Sequence, residues 1–264
     1  MQSLSAVQSP SAIQACSAIQ ACSGITAIPP AGAGSPSYTN LGSYDFDGAA
    51  DYGHADGAAS TINSDTQGTI TAWIRPVAIT GTNDVIFNFG NSSGSGHYCR
   101  LSAVNGKISA NHWAGGWQWI KTTDNDVLSA ATWVHIAVVQ DGVSPVIYVN
   151  GVAVAQSFSN TTDITTWASA GTVNTIKVGR LVYTASQFFD GHIDDIAYFR
   201  TALSAANVAT IAGDATMNST AQFSPFLHYR MDAQTGTSEP SVGSNATALT
   251  LAADTGWDAS EIPS

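Results

Sequence analysis

The sequence predicts an all-β antiparallel sandwich with an extended N-terminal arm and one short helix. Three observations carry this. Charged residues are only 10% of the 264, and the long charged side chains that favour helix surfaces are scarce: glutamate occurs at Glu239 and Glu261 alone, lysine at Lys107, Lys121 and Lys177 alone. Thr, Val, Ile and aromatic residues, which suit pleated surfaces, are plentiful. From about residue 41 onward, short apolar runs alternate with clusters of Gly, Asn, Asp and Ser, the texture of a sandwich.

The arm comes first. Ser5–Pro10, Ser11–Cys16 and Ser17–Cys22 are three copies of a six-residue unit, and Ser23–Thr26 continues it with decay. Val7, Ile13, Ile19 and Ile25 therefore recur at period six. An even period keeps them on one face of an extended chain, whereas a helix would smear them around its axis. Three or four such units bury no core alone. Docking on a second copy or a neighbouring protein, by strand addition, would order them; packing on the chain's own domain is the alternative. Cys16 and Cys22 share that face, available for interchain pairing or serving as small apolar groups. Pro29–Pro36 reads as a linker.

The strands follow. Gly68–Arg75 alternates, with Ile70, Ala72 and Ile74 opposite Thr69, Thr71 and Trp73, and Pro76 ends it. Val85–Phe89, Tyr98–Ser102, Lys107–Asn111, Thr132–Val139 and Val146–Val149 are further strands. Asn150-Gly151 supplies the positive φ angles of a tight hairpin turn. Thr175–Gly179 and His192–Phe199 complete the set, and only Ser204–Ala212 reads as helix, capped by Ser204. The organisation is arm and linker over 1–40, sandwich over 41–213, and an extension over 214–264 packing on the sandwich.

Five of these segments, in order, resemble the laminin-G-like domains of the concanavalin-A lectin/glucanase superfamily. They are Tyr44-Asp-Phe-Asp-Gly-Ala-Ala-Asp-Tyr52, Thr69–Pro76, the Trp133-Val-His135 strand, Tyr148-Val-Asn-Gly151, and Phe189–Ser204 with its closing Ala-Leu-Ser. The resemblance implies a concanavalin-A-like jelly roll. It also implies a calcium ion held by carboxylates and carbonyls near the first and last strands. Asp47, Asp51 and Asp194 fall on the matching segments, with Asp190 and Asp195 as alternates. The same aspartates also suit turns beside Gly48 and Gly191, so both roles stand open.

Several function classes drop out. The formal net charge of −11 and eight scattered basic residues exclude a phosphate-binding stripe, so no nucleic acid is expected. No apolar run approaches the ~20 residues of a membrane span, and the N-terminus lacks the charged and apolar regions of an export signal. Glycosidases on this scaffold resemble an E-x-D-x-E strand; this chain has no glutamate before Glu239, and Asp194-Asp195 would point to opposite faces of a regular strand. The six histidines show no ligand spacing, and His135 reads as structural. No enzymatic activity is expected. Asn111–Trp119 gathers Trp113, Trp117 and Trp119, which either stack sugar rings or fill the core.

Two readings follow. The first is a virion surface subunit, a capsid decoration or tail-associated protein, held to copies of itself or to other virion proteins through its arm. The second is a secreted, calcium-dependent, lectin-like module that binds glycans outside the cell.

Overall fold

The structure is a computed structural model that describes residues 39–79, 83–214, 216, 218–252 and 255–263. The hexad arm, with Val7, Ile13, Ile19, Ile25, Cys16 and Cys22, lies outside the described residues. Tyr38–Ser264 is one compact unit.

Among the described residues, seventeen strands and two α-helices run in this order: β1 Ser43–Asp47, β2 Gly53–His54, α1 Asp56–Ile62, β3 Gly68–Pro76, β4 Asp84–Gly90, β5 His97–Val104, β6 Lys107–Ala114, β7 Trp117–Thr123, β8 Val134–Gln140, β9 Pro145–Val149, β10 Val152–Ala153, β11 Gln156–Thr161, β12 Thr175–Val178, β13 Asp190–Phe199, α2 Ala205–Ala212, β14 Leu227–Tyr229, β15 Ser238–Glu239, β16 Leu249–Leu251 and β17 Gly256–Asp258. They form two antiparallel sheets. One has the order β10-β9-β8-β3-β13-β1-β17, with β14 also on β13; the other runs β11-β7-β6-β5-β4-β12-β2-β16-β15. This is the expected all-β sandwich.

Period-two alternation fills the space between the sheets. From β3, Ile70, Ala72 and Ile74 point inward into a core shared with Phe87, Phe89 and Trp119 of the opposing sheet, with Tyr198 of the neighbouring β13 and with Trp167. The eight-stranded sheet buries its second face too. There α2 lays Val208 and Ile211 on Ala137, Val139, Tyr148 and Phe199. Ser204 caps that helix through a 3.2 Å bond from the Asn207 N–H, as its residue type predicts. The Asn150-Gly151 turn adopts the predicted left-handed pair, φ +48° and +79°.

One feature departs from expectation. Helix α1 was not legible in the sequence. Its seven residues include Gly57, Ser60 and Thr61, poor helix formers, and it is held by burying Ala58, Ala59 and Ile62 in the core. The 214–264 segment supplies strands to both sheets: β14 and β17 join one, β15 and β16 the other. No helix among the described residues is long and apolar enough to cross a membrane.

Candidate functional site

The outer face of the nine-stranded sheet is built by β4, β5, β6 and β7. Along β5 the residues Cys99, Leu101 and Ala103 enter the core, so Tyr98, Arg100 and Ser102 face out. Register pairs Tyr98 with Trp113, Arg100 with Asn111 and Ser102 with Ser109. On β6, therefore, Trp113, Asn111 and Ser109 share that outer face.

Trp117 reaches it by a break in alternation. Residues 117 and 119 would share one face of a regular strand. The register shifts between His112, opposite Trp119, and Trp113, opposite Trp117. The resulting bulge sends Trp117 outward and Trp119 inward. Gly115 makes the intervening turn at φ +69°. Trp113 and Trp117 meet edge to face at 5.1 Å; Tyr98 lies parallel to Trp113 at 6.4 Å and edge-on to Trp117 at 6.1 Å. Both tryptophans stay half-buried while Tyr98 is covered. Trp119 is fully buried, parallel to Trp167 at 6.4 Å, with Nε1 donating to the Thr166 carbonyl at 3.0 Å. Of the three tryptophans grouped by the sequence, two therefore form one surface, and Trp119 is corrected to the core.

Polar groups surround this platform. Arg100 is 8% exposed, donates to Gln187 Oε1 at 2.5 Å and Asn83 Oδ1 at 3.4 Å, and its Nε has no partner. Burial lowers its pKa, and burial pushes the Tyr98 hydroxyl up to about 12. The buried Asn88 amide anchors the 180–187 segment across the face by donating to the Lys177 and Arg180 carbonyls at 3.2 and 2.6 Å. Arg180 and Lys177 stand over the Tyr52 ring at 3.8 and 5.5 Å. Farther along the strands an open groove of about 270 Å³ is lined by Lys107, Thr122, Ser157 and Ser159. Sequence reasoning did not find Tyr98, Arg100 or Asn88; a polar residue inside an apolar strand was the available signal.

The sequence-assigned calcium trio does not converge. Asp47 Oδ1 accepts the N–H groups of Ala49 and Ala50 at 2.8 Å and of Asp51 at 3.1 Å, and those bonds hold its pKa down. Asp51 Oδ2 accepts the Asp47 N–H at 3.0 Å. This is turn capping, the alternative the sequence left open. Asp47 pairs with Asp190, and Asp194 lies four residues farther along β13, about 13 Å at 3.3 Å per residue. Among the described residues no group of three or more His, Cys, Asp and Glu is placed to hold a metal. Asp47, Asp51 and Asp194 thus do not fit one calcium ion. Calorimetric melting with and without a chelator tests for a bound calcium ion, since a ligand held only by the folded state raises the melting temperature.

Asp194 and Asp195 also correct the parity argument. The register of β13 on β3 shifts between Asp194 and Ala197, and Asp195 sits at φ +42°. This bulge places both carboxylates in the buried layer outside the eight-stranded sheet. Asp194 accepts from Asn40 Nδ2 at 2.8 Å, and burial raises its pKa well above the usual range. Asp195 meets His228 Nε2 and Thr220 Oγ1, both at 2.5 Å.

A family model described as the concanavalin A-like lectin/glucanases superfamily matches residues 47–209. The chain belongs to that superfamily. Among solved structures, this member of the superfamily is similar to the IT-sialidase CBM40 of Ruminococcus gnavus bound to α2,3-sialyllactose, at 14% identity and TM-score 0.53, covering 66% of this chain and all of that one. A Bacteroides ovatus protein named for carbohydrate binding is similar at 15% identity and TM-score 0.57, covering 83% of this chain and 60% of that one. The heptameric SAP-like pentraxin of Limulus polyphemus matches at 13% identity and TM-score 0.50, covering 83% and 94%. No curated protein sequence matches. At these identities the likeness establishes the superfamily fold.

Proposed function

We propose that the chain is a non-catalytic carbohydrate-binding module that holds glycans on the outer face of its nine-stranded sheet. The observation that carries this is the Tyr98–Trp113–Trp117 platform, where two half-buried indoles rest on a buried tyrosine. Such rings offer flat apolar faces to the C–H faces of a pyranose, at little entropic cost because they are already held. Amides and hydroxyls beside them, from Asn111 to the Ser157 groove, match sugar hydroxyls. Structural neighbours include carbohydrate-binding proteins, which favours this reading over the virion subunit; the arm on which the virion reading rests lies outside the described residues. Hydrolysis is disfavoured by composition: from Val85 to Thr123 the chain has no aspartate or glutamate, so β4–β7 offer no carboxylate pair for acid–base work.

The test is a glycan array followed by calorimetric titration with the best ligand. Trp117→Ala and Trp113→Ala are each expected to weaken binding about 30-fold, the equivalent of about 2 kcal/mol at a hot-spot aromatic. Unchanged affinity in both variants, or no glycan bound by the intact protein, would overturn the reading.

A further inference from the structure

Arg100 is a buried cation without a counter-ion. Its hydrogen-bond partners, Gln187 and Asn83, are neutral, and among the described residues it forms no ion pair. Burying a guanidinium costs several kcal/mol unless an anion compensates, and arginine's fork is shaped for carboxylates. Two of the other four arginines have one: Arg200 meets Asp65 at 2.6 Å and Arg75 meets Glu261 at 3.1 Å. The chain carries a formal charge of −11, yet its stretch from Val85 to Thr123 has three basic residues and no acidic one. Lys177 and Arg180 border the same face.

The position is as telling as the charge. The Arg100 guanidinium carbon lies 5.9 Å from the Tyr98 ring centroid, and Tyr98 is the ring on which Trp113 rests. An anionic group at Arg100 would therefore belong to the same ligand as a ring stacked on Trp113 and Trp117. Two buried amide oxygens, Asn88 Oδ1 and Asn111 Oδ1, also lack donors, and both residues pair with Arg100 across the sheet. A carboxylate-bearing sugar supplies the charged oxygens that the arginine lacks.

We propose that this face selects glycans carrying a carboxylate, which Arg100 receives in place of Gln187 and Asn83. The proposal deepens the carbohydrate-binding reading and rests on it. Sialic acids and uronic acids share the chemistry. Titration of the full chain would use 3′-sialyllactose, a glucuronate-terminated oligosaccharide, the methyl esters of both, and lactose. The acids are expected to bind at least about tenfold more tightly than their esters, with affinity falling as salt rises. Sialic acid alone showing the preference would name the source as sialylated glycans, and glucuronate alone as uronides; either supports the proposal. Arg100→Met, which keeps the aliphatic stem, should bring the acid down to the affinity of its ester, and Arg100→Lys should keep part of the difference. The ester comparison needs no variant, so a misfolded Arg100→Met would not rescue the idea. Equal binding of acid, ester and lactose overturns it while leaving the module a glycan binder; a preference that survives Arg100→Met overturns the role of Arg100. Binding of none of these probes or of any arrayed glycan removes both readings.

Discussion

Trp119→Ala should unfold the protein far more readily while Trp113→Ala should not, although the two residues belong to one β6–β7 hairpin. Trp119 has no exposed surface, lies parallel to Trp167, and its Nε1 donates to the Thr166 carbonyl. Truncation removes an indole from a packed interior that cannot close over the gap, a loss of about 3–5 kcal/mol. In a domain of this size that lowers the melting temperature by roughly 10 °C. Trp113 is half-buried on the outer face, and its loss should cost roughly 1 kcal/mol. Urea melts of the two variants decide it. A Trp119→Ala protein as stable as the parent but deficient in glycan binding would put that ring back at the site.

Strand parity and its failures explain what could be read in advance. Wherever a strand is regular, as in Gly68–Pro76, the inward set Ile70, Ala72 and Ile74 follows directly from alternation, and so does the sandwich. Each misplaced residue sits beside a bulge. Trp119 is grouped with Trp113 and Trp117 because all three fall within Asn111–Trp119, and the register shift between His112 and Trp113 turns it to the other face. Asp194 and Asp195 were set on opposite faces, and the left-handed backbone at Asp195 undoes that. A bulge depends on which residues of two distant strands meet, and a single strand's sequence does not display it. The trio Asp47, Asp51 and Asp194 fails to converge for a related reason. Its assignment rested on the segments holding Asp47 and Asp194 being neighbours, which they are, but register sets these carboxylates four residues apart along the sheet. Arg100 went unread because one charge within an apolar run carries no period at all.

Acid should weaken the fold, and His135 gives a direct handle on why. Its ring is completely buried, edge to face with Trp73 at 5.4 Å, and neither nitrogen has a partner. Burial lowers its pKa to about 4, against a smaller upward pull from the Asp195 charge. His112 goes lower still, to about 3, by burial and then by the neighbouring His97. A histidine whose folded pKa lies below its unfolded value binds more protons when unfolded, so stability rises with pH across that interval. The contribution is whole above about pH 6.5 and is lost as pH falls toward 4. For His135 the loss by pH 4 is about 3 kcal/mol. Carboxylates raised by burial work the other way: Asp232, pushed up to about 6, and Asp194 take up protons in the folded state and offset part of the loss. The parent's acid profile is the difference of the two sets, so the histidine must be isolated by substitution. His135→Leu strands no side-chain hydrogen-bond partner, because the ring has none, and it keeps the site apolar. Urea melts at pH 7 and pH 4 should show the variant losing about 3 kcal/mol less than the parent between those values. Equal losses in both proteins would mean that His135 takes up its proton as readily in the fold as in the unfolded chain, so that the nearby Asp195 charge offsets the cost of burial.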